Sequence, residues 1–258
     1  MKVDVTTETL PQLLNRYRAA TGDVTTYTFN THCLLTYHST AIEGSSLTFS
    51  QVQALLTESG LLTGLPVLDQ LLLLDHYKAL NEVLLLASQR EPINRAALQR
   101  LASILMHQTG GLKHSLLSSF DTSKGELRID STMAGRRQLV EAHKLPAALD
   151  ALLREVNTAV SLLKTPRQLY DLSFKTHFQL LTLHPFGAGN GLMARLLMNY
   201  IQQYHQLPLS LIYADSRTAY LKSLDASWQQ KTPASIIDFM HRQLIRFLQE
   251  EGGNSSRS

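Results

Sequence analysis

The sequence predicts an all-α fold, a bundle of helices packed around one central, buried helix. Three observations carry this. Apolar residues recur at helical spacing through most of the chain, in stretches punctuated by Pro, Asn or Gly. One of these stretches, 190–203, is apolar on nearly every side (Leu192, Met193, Leu196, Leu197, Met198, Ile201), as a helix enclosed by others must be. The helical pattern lapses in only one long region, 110–145, which has room for a hairpin at most.

The elements follow in order. Residues 9–20 place Leu10, Leu13, Leu14 and Tyr17 on one face, and Gly22 ends the run. A second helix is expected over 25–43. Its end has two readings: Thr40 and Glu43 are spaced as a capping box opening a new helix, but Gly44 suits a helix C-terminus better. On the second reading Ser39 and Glu43, four apart, share the face of a final turn. Thr48 and Gln51 form a capping box for the next helix, 66–88 reads as a long amphipathic helix, and Pro92 and Asn94 start another running through about His107. His107 is expected in the core or on a cleft wall. Helices resume over 146–163 and 166–183, and two more fit 216–229 and 233–251. The expected organisation is a single domain over 1–251, with N-terminal helices in 1–60, a core in 94–205, C-terminal helices in 206–251, and a small polar tail, 252–258, without order.

Composition bounds the function. The chain has 258 residues, enough for one sizeable core, with 44% hydrophobic and 17% charged residues, as in an ordinary soluble protein. A net charge of +3 is too small to argue for nucleic acid by itself, although a pI near 9.0 keeps the question open, and no appended DNA-binding module is expected. Cys33 stands alone, which excludes an internal disulfide and a Cys-rich metal site; a buried apolar role is expected for it. The N-terminus lacks the apolar core of a signal peptide, and no run reaches the length of a membrane span. A cytoplasmic, bacterial protein is the expectation.

The stretch that carries chemistry is Leu183-His184-Pro185-Phe186-Gly187-Ala188-Gly189-Asn190-Gly191, running straight into the central helix. Glycines let successive N–H groups converge on one point, and a helix start adds unpaired N–H groups and the positive end of its dipole. From the residues alone the loop is either a Gly-rich turn capping a buried helix or an anion cradle suited to phosphate. Arg195 lies one turn above Gly191 on the same face, and His184 at the lip is the one side chain there whose unperturbed pKa suits proton transfer near neutral pH.

This stretch resembles the signature of the Fic family, H-x-F-x-(D/E)-G-N-G-R-x-x-R. His184, Phe186, Gly189, Asn190, Gly191 and Arg195 fall on its places, whereas Ala188 stands where the acid belongs and Leu192 where the first Arg belongs. The segment from Ser39 to Gly44 resembles the family's inhibitory motif, (S/T)-x-x-x-E-(G/N). The family fold is a helical bundle with a small β-hairpin flap that holds a target's backbone by strand addition. Gly125, Arg128, Ile129, Gly135 and Arg136 fall in the region that resembles the flap. The cluster Arg128, Arg136 and Arg137 is otherwise a solvated loop, or supplies phosphate charge lost at Leu192.

The resemblance implies transfer of AMP from ATP to a hydroxyl of a target protein. His184 would take the hydroxyl proton, Phe186 would belong to the nucleotide site, and Gly187, Gly189, Asn190 and Gly191 would cradle phosphate. Arg195 would neutralise the γ end, and Glu43, with Ser39 beside it, would inhibit by pairing with Arg195. The family's acid holds Mg²⁺, and Ala188 cannot ligate a hard cation, so the expectation is no metal ligand in the loop and weakened or altered activity. Two other readings stand beside this one: a non-catalytic binding protein that docks a partner through the flap, and a transferase using another phosphate-containing donor. The partner is expected to be a protein, with no nucleic acid and no membrane; the target and homo-oligomerisation stay open.

Overall fold

A computed structural model describes residues 8–20, 24–58, 60–114, 118–130, 133–134 and 137–253. Among these, ten α-helices make up the fold. They are α1 (Leu10–Ala20), α2 (Val24–Ile42), α3 (Phe49–Thr57), α4 (Val67–Ser88), α5 (Arg95–Leu105), α6 (Leu145–Leu162), α7 (Pro166–Leu183), α8 (Asn190–Tyr204), α9 (Arg217–Gln230) and α10 (Ala234–Gly253).

Helix boundaries follow local chemistry. Thr48 and Gln51 close a capping box at the start of α3. The Asn94 side chain accepts the Ala97 N–H ahead of α5, and the Thr165 side chain accepts the Gln168 N–H ahead of Pro166, which opens α7. At the end of α2 the Glu43 and Ser45 N–H groups both donate to Thr40 O, and Gly44 adopts φ +112°. The Thr40 hydroxyl donates backwards to Thr36 O, so α2 stops here and no new helix opens at Thr40.

Helix α8 is the centre. Asn190 and every residue from Leu192 to Gln202 are buried, and α7, α4, α5 and α2 pack around it. Its polar side chains are bonded within the core. Gln202 Nε2 donates to Ser173 Oγ and Ser210 Oγ at 3.0 and 2.7 Å, while its Oε1 accepts the Ser210 N–H at 2.8 Å. The Tyr200 hydroxyl donates to Glu91 O at 2.6 Å. Helix α10 closes the other side of α7 and packs on α1, and α6 lies along α7. Leu47, Val52, Leu55 and Leu73 form a smaller cluster that fixes α3 to α4. Cys33 is fully buried, as expected.

Region 110–145 holds two antiparallel ribbons rather than the single hairpin expected. Strand β1 (Leu112–His114) pairs with β2 (Ser119–Asp121) in the register Leu112↔Asp121, and β3 (Met133–Ala134) pairs with β4 (Arg137–Gln138) in the register Met133↔Gln138. His107 is exposed, not in the core: α5 ends at Leu105, so His107 falls in the turn beyond it. Of the expected tail, Gly252 and Gly253 belong to α10, and residues 254–258 lie outside the described residues.

Candidate active site

The loop between α7 and α8 is held from inside. His184 ends α7 in the left-handed region, φ 49° and ψ 60°, which turns the chain sharply into Pro185. Asn190, buried at the first position of α8, clamps the loop: its Oδ1 accepts the Phe186 N–H at 3.0 Å and its Nδ2 donates to Phe186 O at 2.7 Å. The Asn190 amide is thereby engaged by Phe186 on both ends. What faces outward is backbone, the Gly-rich turn and the first N–H groups of α8. Phe186 is buried. Gly189 has φ +73°, and a Cβ there would approach Met106 Sδ to 2.8 Å. A Cβ on Gly187 would overlap the Phe120 ring, so β2 walls the loop on that side.

Glu43 sits at the start of α8. A Cβ on Gly191 would overlap Glu43 Oε1 and lie 3.3 Å from Arg195 Nη1. Arg195 Nη2 donates to Glu43 Oε1 at 2.7 Å and to Ser39 O at 3.0 Å, and its Nε donates to Ser39 Oγ at 2.8 Å. Arg195 is 4% exposed. The Glu43 side chain is 37% exposed, so the pair has one enclosed partner and one that meets solvent. A carboxylate thus stands beside the positive end of α8, against the side chain that also serves it. Among the described residues, the buried Arg195 Nη1 has no hydrogen-bond partner.

Below Arg195, His177 Nε2 and the Tyr220 hydroxyl share a hydrogen bond at 3.0 Å. Both are buried; burial, and then the charge of Arg195, lower the His177 pKa to about 3. His184 is lowered to about 4, first by burial and then by Arg137 and Arg128, so its ring is neutral at pH 7 and can accept a proton.

Those two arginines are not a solvated cluster. Arg128 is 3% exposed: its Nε donates to His184 O at 2.8 Å, Nη1 to Asp130 O at 2.5 Å, and Nη2 to Val140 O at 2.5 Å and Leu183 O at 3.3 Å. Its N–H donates to Pro185 O, and the neighbouring Leu127 forms an antiparallel bridge with Phe186. Arg128 therefore fastens the segment after β2 to the loop between α7 and α8. Arg137 donates to Leu181 O and Thr182 O at 3.0 Å and lies 4.0 Å over the Trp228 ring. Neither guanidinium replaces the charge missing at Leu192, which is itself buried at 2% exposure. Gly125 is also internal: it caps the turn after β2 at φ +67°, and a Cβ there would overlap Gln99 O. Ile129 is half-buried, and Gly135 and Arg136 lie outside the described residues. The sequence reading missed Phe120 and Met106, which wall the loop, and Tyr220, which bonds to His177. Only the empty faces of the glycines hinted at the first two.

The residues present do not fit a magnesium site. Ala188 offers no oxygen ligand, and the carboxylate at the start of α8, Glu43, is taken by Arg195. No helix among the described residues is long and apolar enough to cross a membrane.

Comparison with known proteins bears on this geometry. Residues 92–202 match the family model described as Fic/DOC family. The chain is 29% identical over 194 residues to the protein adenylyltransferase Fic of Nematostella vectensis, covering 73% of this chain and 42% of that protein. It is 25% identical over 196 residues to the protein adenylyltransferase fic-1 of Caenorhabditis elegans, covering 75% and 36%. The chain thus spans less than half the length of these curated relatives. Among solved structures it resembles a Fic-domain-containing signaling protein from Bacteroides thetaiotaomicron, with a TM-score of 0.77 at 19% identity over 95% of this chain and 97% of that one. It also resembles a C. elegans Fic-1 fragment, with a TM-score of 0.77 at 17% identity over 95% and 71%. At such identities the structural likeness is one of fold.

Proposed function

From the match of residues 92–202 to the Fic/DOC family model we infer a protein adenylyltransferase held off by its own Glu43. The observation that carries the reading is the 2.7 Å contact between Glu43 and Arg195 at the start of α8. The donor is ATP and the acceptor a hydroxyl of a target protein. The hydroxyl oxygen attacks the α-phosphorus and gives its proton to neutral His184. The bond from the α-phosphorus to the bridging oxygen breaks, and pyrophosphate leaves. The N–H groups of the glycine turn and of the first turn of α8 stabilise the phosphate oxygens, and Arg195 meets the γ end once Glu43 withdraws. Phe186 and Asn190 keep the turn in shape, and Ser39 orients Arg195. No step is assigned to Mg²⁺, since the loop has no side-chain ligand for it, and this places the activity low: loss of one charge-stabilising group costs about a hundredfold or more.

One observation favours a second reading, a binding protein with the same cradle: both missing signature residues are charged ones, at Ala188 and Leu192. Labelled ATP separates the two readings. Glu43→Gly is expected to raise labelling of the chain or of lysate proteins at least tenfold, and adding His184→Ala to return it to background. Silence of Glu43→Gly with ATP, together with retained nucleotide binding, would establish the binding protein instead.

A further inference from the structure

Arg195 is not the only contact on the end of α2. The segment between α8 and α9 holds the same turn from behind. Arg217, the first residue of α9, donates from Nε to the Ile42 carbonyl at 2.7 Å, and that carbonyl belongs to the peptide entering Glu43. One turn earlier His38 Nδ1 accepts the Ala214 N–H at 3.2 Å, and the Tyr213 ring packs on His38 with centroids 5.0 Å apart. Beyond the turn, Asp69 at the start of α4 accepts the Ser46 N–H and hydroxyl at 2.7 and 2.8 Å. Glu43 and Gly44 therefore hang between two anchors on different helices.

The Ile42 carbonyl lies in the last turn of α2, where carbonyls have no partner inside the helix, and a guanidinium there also meets the negative end of the dipole. The arrangement matters because the Glu43 carboxylate is more than a third exposed, and an ion pair in that setting contributes little by itself. What makes the pair form is preorganisation. Ser39 fixes Arg195, and the anchors fix the backbone from which Glu43 reaches.

We propose that Arg217 is a positioning residue for the inhibitory turn: by holding the Ile42 carbonyl, the start of α9 sets how often Glu43 leaves Arg195. This rests on the autoinhibition inferred above. A signal or partner that draws on α9 would then release the site without touching the nucleotide.

The test uses the full chain without nucleotide. Amide hydrogen exchange over 39–46 is compared in the parent, Arg217→Ala and Arg217→Lys, with the urea midpoint as control. Arg217 is exposed, so truncating it leaves no buried void. The expected result is exchange over 39–46 about tenfold faster in Arg217→Ala, the shift that follows when a charge-assisted hydrogen bond is lost from one of two states. The midpoint stays, and Arg217→Lys, which can still donate, keeps most of the protection. His184-dependent labelling from ATP rises with exchange toward the level of Glu43→Gly. Unchanged exchange over 39–46, or faster exchange throughout α2 and α9 with a lower midpoint, overturns the proposal. If Glu43→Gly itself fails to label, the transferase reading falls, while the exchange result still decides the role of Arg217.

Discussion

At the scale of single residues, Asn190 and His184 divide the work of the loop. Asn190 spends both ends of its amide on Phe186, inside the protein. Asn190→Ala would leave a buried N–H and a buried carbonyl unpaired, each costing about 1–3 kcal/mol. The expected outcome is a loss of about 2–4 kcal/mol in urea unfolding, together with loss of nucleotide binding. His184 makes a different prediction. Burial, Arg137 and Arg128 lower it to about 4, so the proposed base is already deprotonated at pH 5. The acid limb of kcat/KM for Glu43→Gly should therefore fall near pH 4 and not near 6.5, the ordinary value for histidine. A limb at 6.5 would mean that the ring is better solvated, or that another group takes the proton.

At the scale of elements, the segment after β2 and the loop between α7 and α8 are one unit. Arg128 reaches four carbonyls, two of them in the chain leaving α7, and its own peptide pairs with Pro185. Arg128→Lys keeps the charge but loses the planar fork that spans those acceptors. About 2 kcal/mol of stability should go with it, read by urea unfolding, with faster exchange at residues 127–130 and 184–186. This is also where the sequence was least legible. Helix limits announced themselves through Thr48, Asn94, Pro166 and Gly44, because caps and breakers act on their own neighbours in the chain. The partners of Arg128 are backbone oxygens, which no residue type advertises, so a buried structural arginine read as a docking or solvated one. His107 misled for a related reason: α5 stops at Leu105, and beyond that point helical spacing no longer reports a face.

At the scale of the whole molecule, the core carries a liability in acid. His76 and His177 are lowered to about 3, by burial and then by Arg195, and His38 to about 4, chiefly by burial. With His184, four rings are neutral when folded and titrate near 6.5 when unfolded. Between about pH 6.5 and 4 the unfolded chain binds more protons, so stability falls as pH falls through that window. Each ring adds a slope of up to about 1.4 kcal/mol per pH unit. The thermal midpoint is expected to drop steeply below pH 6, and His76→Gln should flatten that dependence. The bundle around α8 was readable from its all-round apolar pattern. The buried histidines were not, since a histidine in the sequence looks the same whether it lines a cleft, faces water or fills a core. The pairing of Glu43 with Arg195, 152 positions apart, came from family resemblance, as spacing over such a distance says nothing about contact.

That separation has a kinetic meaning. In the proposed inhibition Glu43 and Arg195 belong to one covalent molecule, so their encounter is governed by an effective concentration that dilution cannot change. Specific activity should stay flat from nanomolar to micromolar protein, and an excess of free glutamate should not mimic the block. Without a partner on α9, release is a first-order event of each copy, timed by its own backbone.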